Sequence, residues 1–403
     1  MRLRNAVLPF LLLPGACGVF AADPLDTSIE KLRMGTLVIQ TAAGAKVSVE
    51  QVRHEFWFGA TLPTGVFTAR TSPEDIAKFK EIFTSHFNAA VIEGAFKWHE
   101  MEPQRGMVNY VVVDRMLAWA DQQGIPVRGH CIFWGIPNRV QDWVKGLSDD
   151  ELRLTMQQRA RSIGARYRDR FAEYDLNNEM IHANYYEQRL GPEFIKQMAL
   201  WVKDGDVKAN LFVNDYDILT GKRLDDYVKH IRGLLDMGTP LAGIGVQGHL
   251  HGDTFDAIAL QSALDQLAKF NLPIRVTEFN MPGQRSQYYT GDRKAQLTPE
   301  EERAKAENLR QYFRICFAHP AVTGIMMWGF WEGANWIPQS SLYKRDWSPT
   351  PAAEAYRNLV LKRGKTPLLL TDIPLGKHRV TVNGKEMLVD LSKAEGTKRV
   401  HVQ

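Results

Sequence analysis

The chain has 403 residues, 44% of them hydrophobic and 24% charged, with a formal net charge of +4. That composition suits a globular protein with a large core and excludes a disordered or low-complexity chain. It also lacks the concentrated basic face of a nucleic-acid binder, so a neutral polymer is a compatible partner and nucleic acid is not an expected one.

The first residues read as an export signal: Arg2 and Arg4, the apolar run Ala6 to Leu13, then small residues up to Ala21 and Ala22. Pro14 and Gly15 break the run, which is too short to favour a membrane span. A cut after Ala21 puts Val19 and Ala21 in the small-residue positions. Segment 1–21 holds two arginines and no acid, so its removal lowers the net charge to 4 − 2 = +2. The expected location is outside the cytoplasm, secreted or periplasmic. Lipid attachment at Cys17 is not expected, because Pro14 three residues earlier fits that motif badly. Cys131 and Cys316 remain after processing and lie in apolar stretches, which predicts two buried thiols rather than a disulfide framework.

Beyond it, residues 30–53 read as an N-terminal β segment, with Leu37, Ile39 and Thr41, then Val47 and Val49, alternating around Ala-Ala-Gly-Ala. From 54 to 362 eight short β-type runs alternate with helical patterns. They lie near residues 57, 90, 129, 175, 213, 246, 276 and 327. Ser72-Pro73-Glu74-Asp75 and Thr298-Pro299-Glu300-Glu301 supply helix caps, and Ser148 with Glu151 forms a capping box. Val112, Val113, Met116, Leu117 and Ala120 make an apolar stripe at helical spacing. Eight strand–helix units predict a closed (β/α)₈ barrel of the α/β class. An open doubly wound sheet would want a Gly-rich phosphate loop after its first strand, and none is present. Residues 363–403 read as a C-terminal β-hairpin segment, with HRVTV and KEMLV joined by Asn383-Gly384. The two terminal segments are expected to pack together as a small accessory β region.

Each barrel run ends in polar or aromatic residues: Glu93, His130 and Trp134, Asn178 and Glu179, Asn214 and Asp215, Gln247 and His249, Glu278, Trp328. In a barrel those ends converge on one face, where catalytic groups sit. Glu179 and Glu278 end the fourth and seventh strands, opposite each other across the ring. Glycoside hydrolysis needs such a pair, one carboxylic acid for the leaving oxygen and one carboxylate for the anomeric carbon.

These residues resemble those of the family 10 glycoside hydrolases, the endo-β-1,4-xylanase family, from Phe58-Gly59-Ala60 to Pro351-Ala352. The resemblance runs in family order through Lys97-Trp98, Glu102-Pro103 with Gly106, Arg128-Gly129-His130 with Trp134, and Asp175 with Asn178-Glu179. It continues through Asn214-Asp215-Tyr216, Gly245 with Gln247 and His249, Thr277-Glu278, and Trp328-Gly329 with Trp336. It implies that Glu179 is the acid/base and Glu278 the nucleophile of a retaining endo-xylanase acting on xylan or xylo-oligosaccharides. Asn178 would bond the sugar 2-hydroxyl, and Lys97, His130 and Gln247 the other hydroxyls at the cleavage site. His249 would orient Glu278, while Glu93 and Trp134 join the substrate-binding set and Trp328 and Trp336 wall the glycone side. Three departures stand out: Gly94 where the family has asparagine, Gly135-Ile136-Pro137 in place of its histidine and glutamine after Trp134, and Asn280 in place of an aspartate. No Cys/His cluster or zinc-type motif is present, so the expected chemistry needs no metal or organic cofactor. Two alternatives stay open: a related barrel glycosidase cutting another β-glycan, and a non-catalytic carbohydrate-binding protein.

Overall fold

The computed structural model describes residues 23–42, 44–68, 70–250, 255–281, 295–360, 372–393 and 397–401. The expected export signal and Cys17 lie outside the described residues.

A helix, Pro24–Arg33, opens the described chain, capped by the Asp23 side chain on the Leu25 amide with proline at its first position. It occupies the start of the stretch whose sequence suggests β structure. Strands β1 (Met34–Gln40) and β2 (Val47–His54) follow. The barrel staves are β3 (Trp57–Leu62), β4 (Ala89–Ile92), β5 (Val127–Gly129) with its short continuation β6 (Phe133–Trp134), and β7 (Glu173–Asn178). The ring is completed by β8 (Leu211–Asp215), β9 (Gly243–Val246), β10 (Ile274–Phe279) and β11 (Val322–Met327). Every neighbour pair is parallel, β11 pairs back onto β3, and β5 pairs with β7, so eight staves close the expected barrel. The outer helices start where their caps stand: Ser72 on the Asp75 amide, and full capping boxes at Ser148–Glu151 and Thr298–Glu301.

The terminal strands form the accessory sheets expected of them. Strands β13 (Gly376–Val382) and β14 (Lys385–Leu391) make the hairpin, and Asn383 and Gly384 between them both take positive φ, 50° and 84°. β2 adds antiparallel to β13, while β1 pairs with β12 (Asp372–Pro374) and β15 (Thr397–His401) in a second sheet. Arg33 fastens this region to the barrel. Its buried guanidinium donates to the carbonyls of Phe317, His319 and Val322 at 2.8–2.9 Å. Cys131 and Cys316 are buried free thiols.

A charged cluster sits inside the barrel below its mouth. Arg128 on β5 pairs with both Glu173 and Asp175 of β7, and Glu173 also takes Arg275 of β10 at 3.0 Å. Arg275 lies 3.9 Å from the Trp57 ring centroid on β3 and donates to the Thr323 carbonyl of β11. Two cations face two carboxylates, each at most 6% exposed, so each desolvated charge has a partner. Burial alone would raise the Glu173 and Asp175 carboxyls; Arg275 and Arg128 outweigh it at Glu173, and Arg128 with the His130 hydrogen bond outweighs it at Asp175, so both lie below their usual values. Removing one partner strands the other charge. Glu173→Gln is expected to lower stability by about 3–5 kcal/mol in urea unfolding, whereas a change below about 1 kcal/mol, the size of a surface pair, would show that the cluster is solvated.

Candidate active site

At the C-terminal mouth the strand ends enclose a cleft of about 490 Å³. All eleven expected site residues line it: Glu93, Lys97, His130, Trp134, Asn178, Glu179, Gln247, His249, Glu278, Trp328 and Trp336. Ile136, Asn138, Arg139 and Tyr216 join them, although the sequence alone does not single them out for the site. Tyr216 belongs to the motif Asn214-Asp215-Tyr216 and so carried a signal; Asn138 and Arg139 follow a departure from the family pattern and carried none.

Glu179 directly follows β7 in a left-handed conformation, φ 62°, which non-glycine residues adopt at a cost. The surroundings fix it there. Its amide bonds the Asn214 carbonyl, and its own carbonyl takes the amides of His182 and Ala183. The buried Asp215 carboxylate holds the Ile181 amide at 3.0 Å and the His182 ring at 2.6 Å. His182 in turn lies flat on Tyr216, centroids 3.6 Å apart and planes 12° apart, backing that wall of the cleft. The Glu179 oxygens accept N–H bonds from Trp134 and Gln247, both at 2.9 Å. Trp134 and Gln247, expected to contact sugar, therefore also hold the acid. Burial pushes the Glu179 carboxyl up to about 7, the charge of Glu278 pushes the same way, and the two N–H donors pull against them.

Glu278, inside β10, has different company. Asn214 Nδ2 donates to one oxygen at 2.8 Å, and His249 Nε2 lies 3.2 Å from the other. Thr277 fixes the Asn214 amide by donating to its oxygen at 2.6 Å, and Asn214 Nδ2 also reaches the Asn178 oxygen at 2.9 Å. Gly245 makes this possible, because a Cβ there would lie 2.8 Å from Asn214 Oδ1 and 2.6 Å from the Val213 carbonyl. His130 Nδ1 sits 2.9 Å from Asp175 and 3.8 Å from Glu278, linking the barrel cluster to the mouth. Burial raises Glu278 as well, but His130 and Lys97 oppose it, whereas no cation is among the main influences on Glu179. The same environment raises Glu93 to about 7 through burial, with Lys97 opposing and Glu278 adding. Burial lowers His249 to about 3, so it meets Glu278 as a neutral imidazole.

The three departures differ in their surroundings. A Cβ on Gly135 would come 3.3 Å from the Tyr186 ring, so Tyr185-Tyr186 occupy the space of a side chain there. Asn280 donates to Ser340 at 2.5 Å and pairs with His249 only through the backbone, which leaves His249 without a carboxylate at that position. At Gly94 a Cβ would make ordinary contact with Thr64, 3.4 Å away, so packing does not demand glycine.

Comparison with known proteins fits this geometry. The family model for glycosyl hydrolase family 10 matches residues 53–359. The chain belongs to glycosyl hydrolase family 10. Among curated relatives, the anti-sigma-I factor RsgI6 of Acetivibrio thermocellus is 32% identical over 89% of this chain and 44% of its own length. Endo-1,4-beta-xylanase 1 of Arabidopsis thaliana is 33% identical over 76% of this chain and 31% of its own length. The chain thus spans less than half of each of these two. Endo-1,4-beta-xylanase B of Thermotoga neapolitana is 26% identical over 88% of this chain and 97% of its own. The solved structure of xylanase 10B from Thermotoga maritima shares the fold, with a TM-score of 0.68 at 23% identity, covering 77% of this chain and 96% of that one.

A general acid works protonated, so with Glu179 in that role activity is expected to fall as pH rises through its value near 7. Trp134→Phe removes a bond that favours the ionised form and is expected to move the alkaline limb of kcat/KM on unactivated oligosaccharides to higher pH. A limb that stays in place or moves down would contradict this assignment of Trp134.

Proposed function

We propose that the chain is an exported, retaining endo-β-1,4-xylanase, with Glu179 as acid/base and Glu278 as nucleophile. The observation that carries this reading is the unequal pair of carboxylates in one cleft. Glu179 is raised to about 7 with no cation among its main influences, while Glu278 is held by Asn214 and His249 beside His130 and Lys97. Environments that push two carboxylates apart assign acid and base roles. Similarity to xylanases from Arabidopsis and Thermotoga supports the choice of polymer, and the N-terminal pattern of arginines and apolar residues supports export.

In this mechanism Glu278 attacks the anomeric carbon while Glu179 gives its proton to the departing glycosidic oxygen, leaving a glycosyl ester on Glu278. Glu179, now ionised, takes a proton from water as that water attacks the same carbon, and the ester breaks to release the sugar with its configuration retained. Asn178 Nδ2 is buried and has no hydrogen-bond partner among the described residues, placed to donate to the sugar 2-hydroxyl as charge develops on the ring. Trp328 and Trp336 present flat apolar walls to the glycone rings, and Lys97, beside the Trp328 and Trp134 faces, meets their hydroxyls.

A second reading, carbohydrate sensing without turnover, draws on the similarity to RsgI6, a protein named for anti-sigma function. The complete hydrogen-bonded setting of both glutamates favours catalysis. Xylan digestion with product sizing, alongside matched xylo- and gluco-oligomers, separates the readings and tests the choice of polymer. For the mechanism, Glu278→Ala is expected to be inactive with every leaving group. Glu179→Ala should lose about 10²–10⁴-fold with poor leaving groups and far less with good aryl ones. The first product seen by NMR should be the β-anomer; inversion, or the opposite leaving-group pattern, would overturn the roles of the two glutamates.

A further inference from the structure

The basic groups of the cleft are unevenly engaged. Lys97 lies 4.8 Å from the Trp134 ring centroid and 5.7 Å from that of Trp328, and its charge acts on Glu93 and Glu278. His130 is held by Asp175. Arg139 differs from both. It is exposed on the cleft wall with its guanidinium carbon 5.3 Å from the Trp134 ring centroid, and it makes no ion pair or side-chain hydrogen bond among the described residues. Contact with an indole face satisfies none of its N–H donors.

Its position is built by the segment that departs from the family pattern. Gly135 packs under Tyr185 and Tyr186, and its carbonyl takes the Tyr185 amide at 3.2 Å. The chain then turns through a short 3₁₀ helix, Pro137–Arg139, closed by the Arg139 amide on the Ile136 carbonyl at 2.8 Å. This turn sets the guanidinium over Trp134, whose indole N–H is bonded to Glu179. A guanidinium therefore stands one aromatic ring away from Glu179.

We propose that Arg139 is a specificity site for an anionic substituent, taking the carboxylate of a uronic acid branch on the glycan backbone next to the cleaved bond. The proposal rests on the xylanase reading above. Hydroxyls of a neutral chain can be met by Asn138, Asn178 and Lys97; what the cleft holds in addition is a planar fork of donors with a full positive charge, the complement of two carboxylate oxygens. Because Arg139 is exposed, the pair has the strength of a surface ion pair and discriminates among substrates without gating turnover.

The test compares glucuronoxylan with the same polymer after reduction of its uronic acids to neutral sugars, which keeps the branch and removes the charge. The ratio of kcat/KM on the acidic to the reduced polymer should fall about two- to five-fold in Arg139→Gln. Arg139→Lys, which keeps the charge and loses the fork, should lie between, and added salt should shrink the wild-type ratio. An unchanged ratio in Arg139→Gln, whether both activities drop together or neither does, would overturn the proposal and leave Arg139 as packing for Trp134. Failure of the wild type on both polymers would instead bring down the xylanase reading.

Discussion

Much of this molecule hangs on Asp175, a fully buried carboxylate that two different structures share. On one side it pairs with Arg128, and through Arg128, Glu173 and Arg275 it belongs to a charge cluster reaching from β5 through β7 to β10. On the other it holds His130, which faces Glu278 at the mouth. Four buried charges demand one another, since a single unpaired ion in the barrel would cost several kcal/mol. That demand fixes the rotation of strands that carry catalytic groups a few residues later, so the electrostatics of the interior and the geometry of the cleft are one problem.

The mouth then separates two chemically identical side chains. Both glutamates are desolvated, which alone would protonate both. Glu278 is met by neutral donors from Asn214 and His249 and by the opposing influence of nearby His130 and Lys97. Glu179 is met by two N–H groups and by the repulsion of Glu278. These basic groups are what distinguish them, and they lie beside Glu278, the carboxylate that the proposed mechanism keeps ionised. The strained backbone at Glu179 serves the same separation, because Asp215 grips the turn that follows it and aims the Glu179 carboxyl into the cleft.

The eight staves were legible because each combines a short apolar run with a polar end, and the helix starts because Ser72, Ser148 and Thr298 carry their caps in the sequence. Asn383-Gly384 announced its hairpin by the one turn type that wants positive φ twice. The helix Pro24–Arg33 was missed although Asp23-Pro24 is a start signal, and its last residues fell inside the stretch 30–53 that the alternation from Leu37 onward drew toward β. All eleven site residues meet in one cleft, but their partners were not readable: nothing in the spelling of Trp134 or Gln247 says that the acid, as well as a sugar, is within reach. The barrel cluster left a fainter trace. Glu173 and Asp175, two apart on one strand, share an inward face, and charges at that spacing in a barrel stave imply buried partners. Which arginines those are depends on strand register, which no local pattern carries.

The central claim, that Glu278 is the group which stays ionised and attacks, is tested most directly by trapping the intermediate. A 2-deoxy-2-fluoro-xylobioside with a good leaving group slows both steps, the second more, so a glycosyl-enzyme should accumulate and be seen as a mass increase on the intact protein. Peptide mapping should place the added sugar on the fragment containing Glu278. A label on Glu179, or rapid turnover to the inverted product with no label at all, would contradict the account.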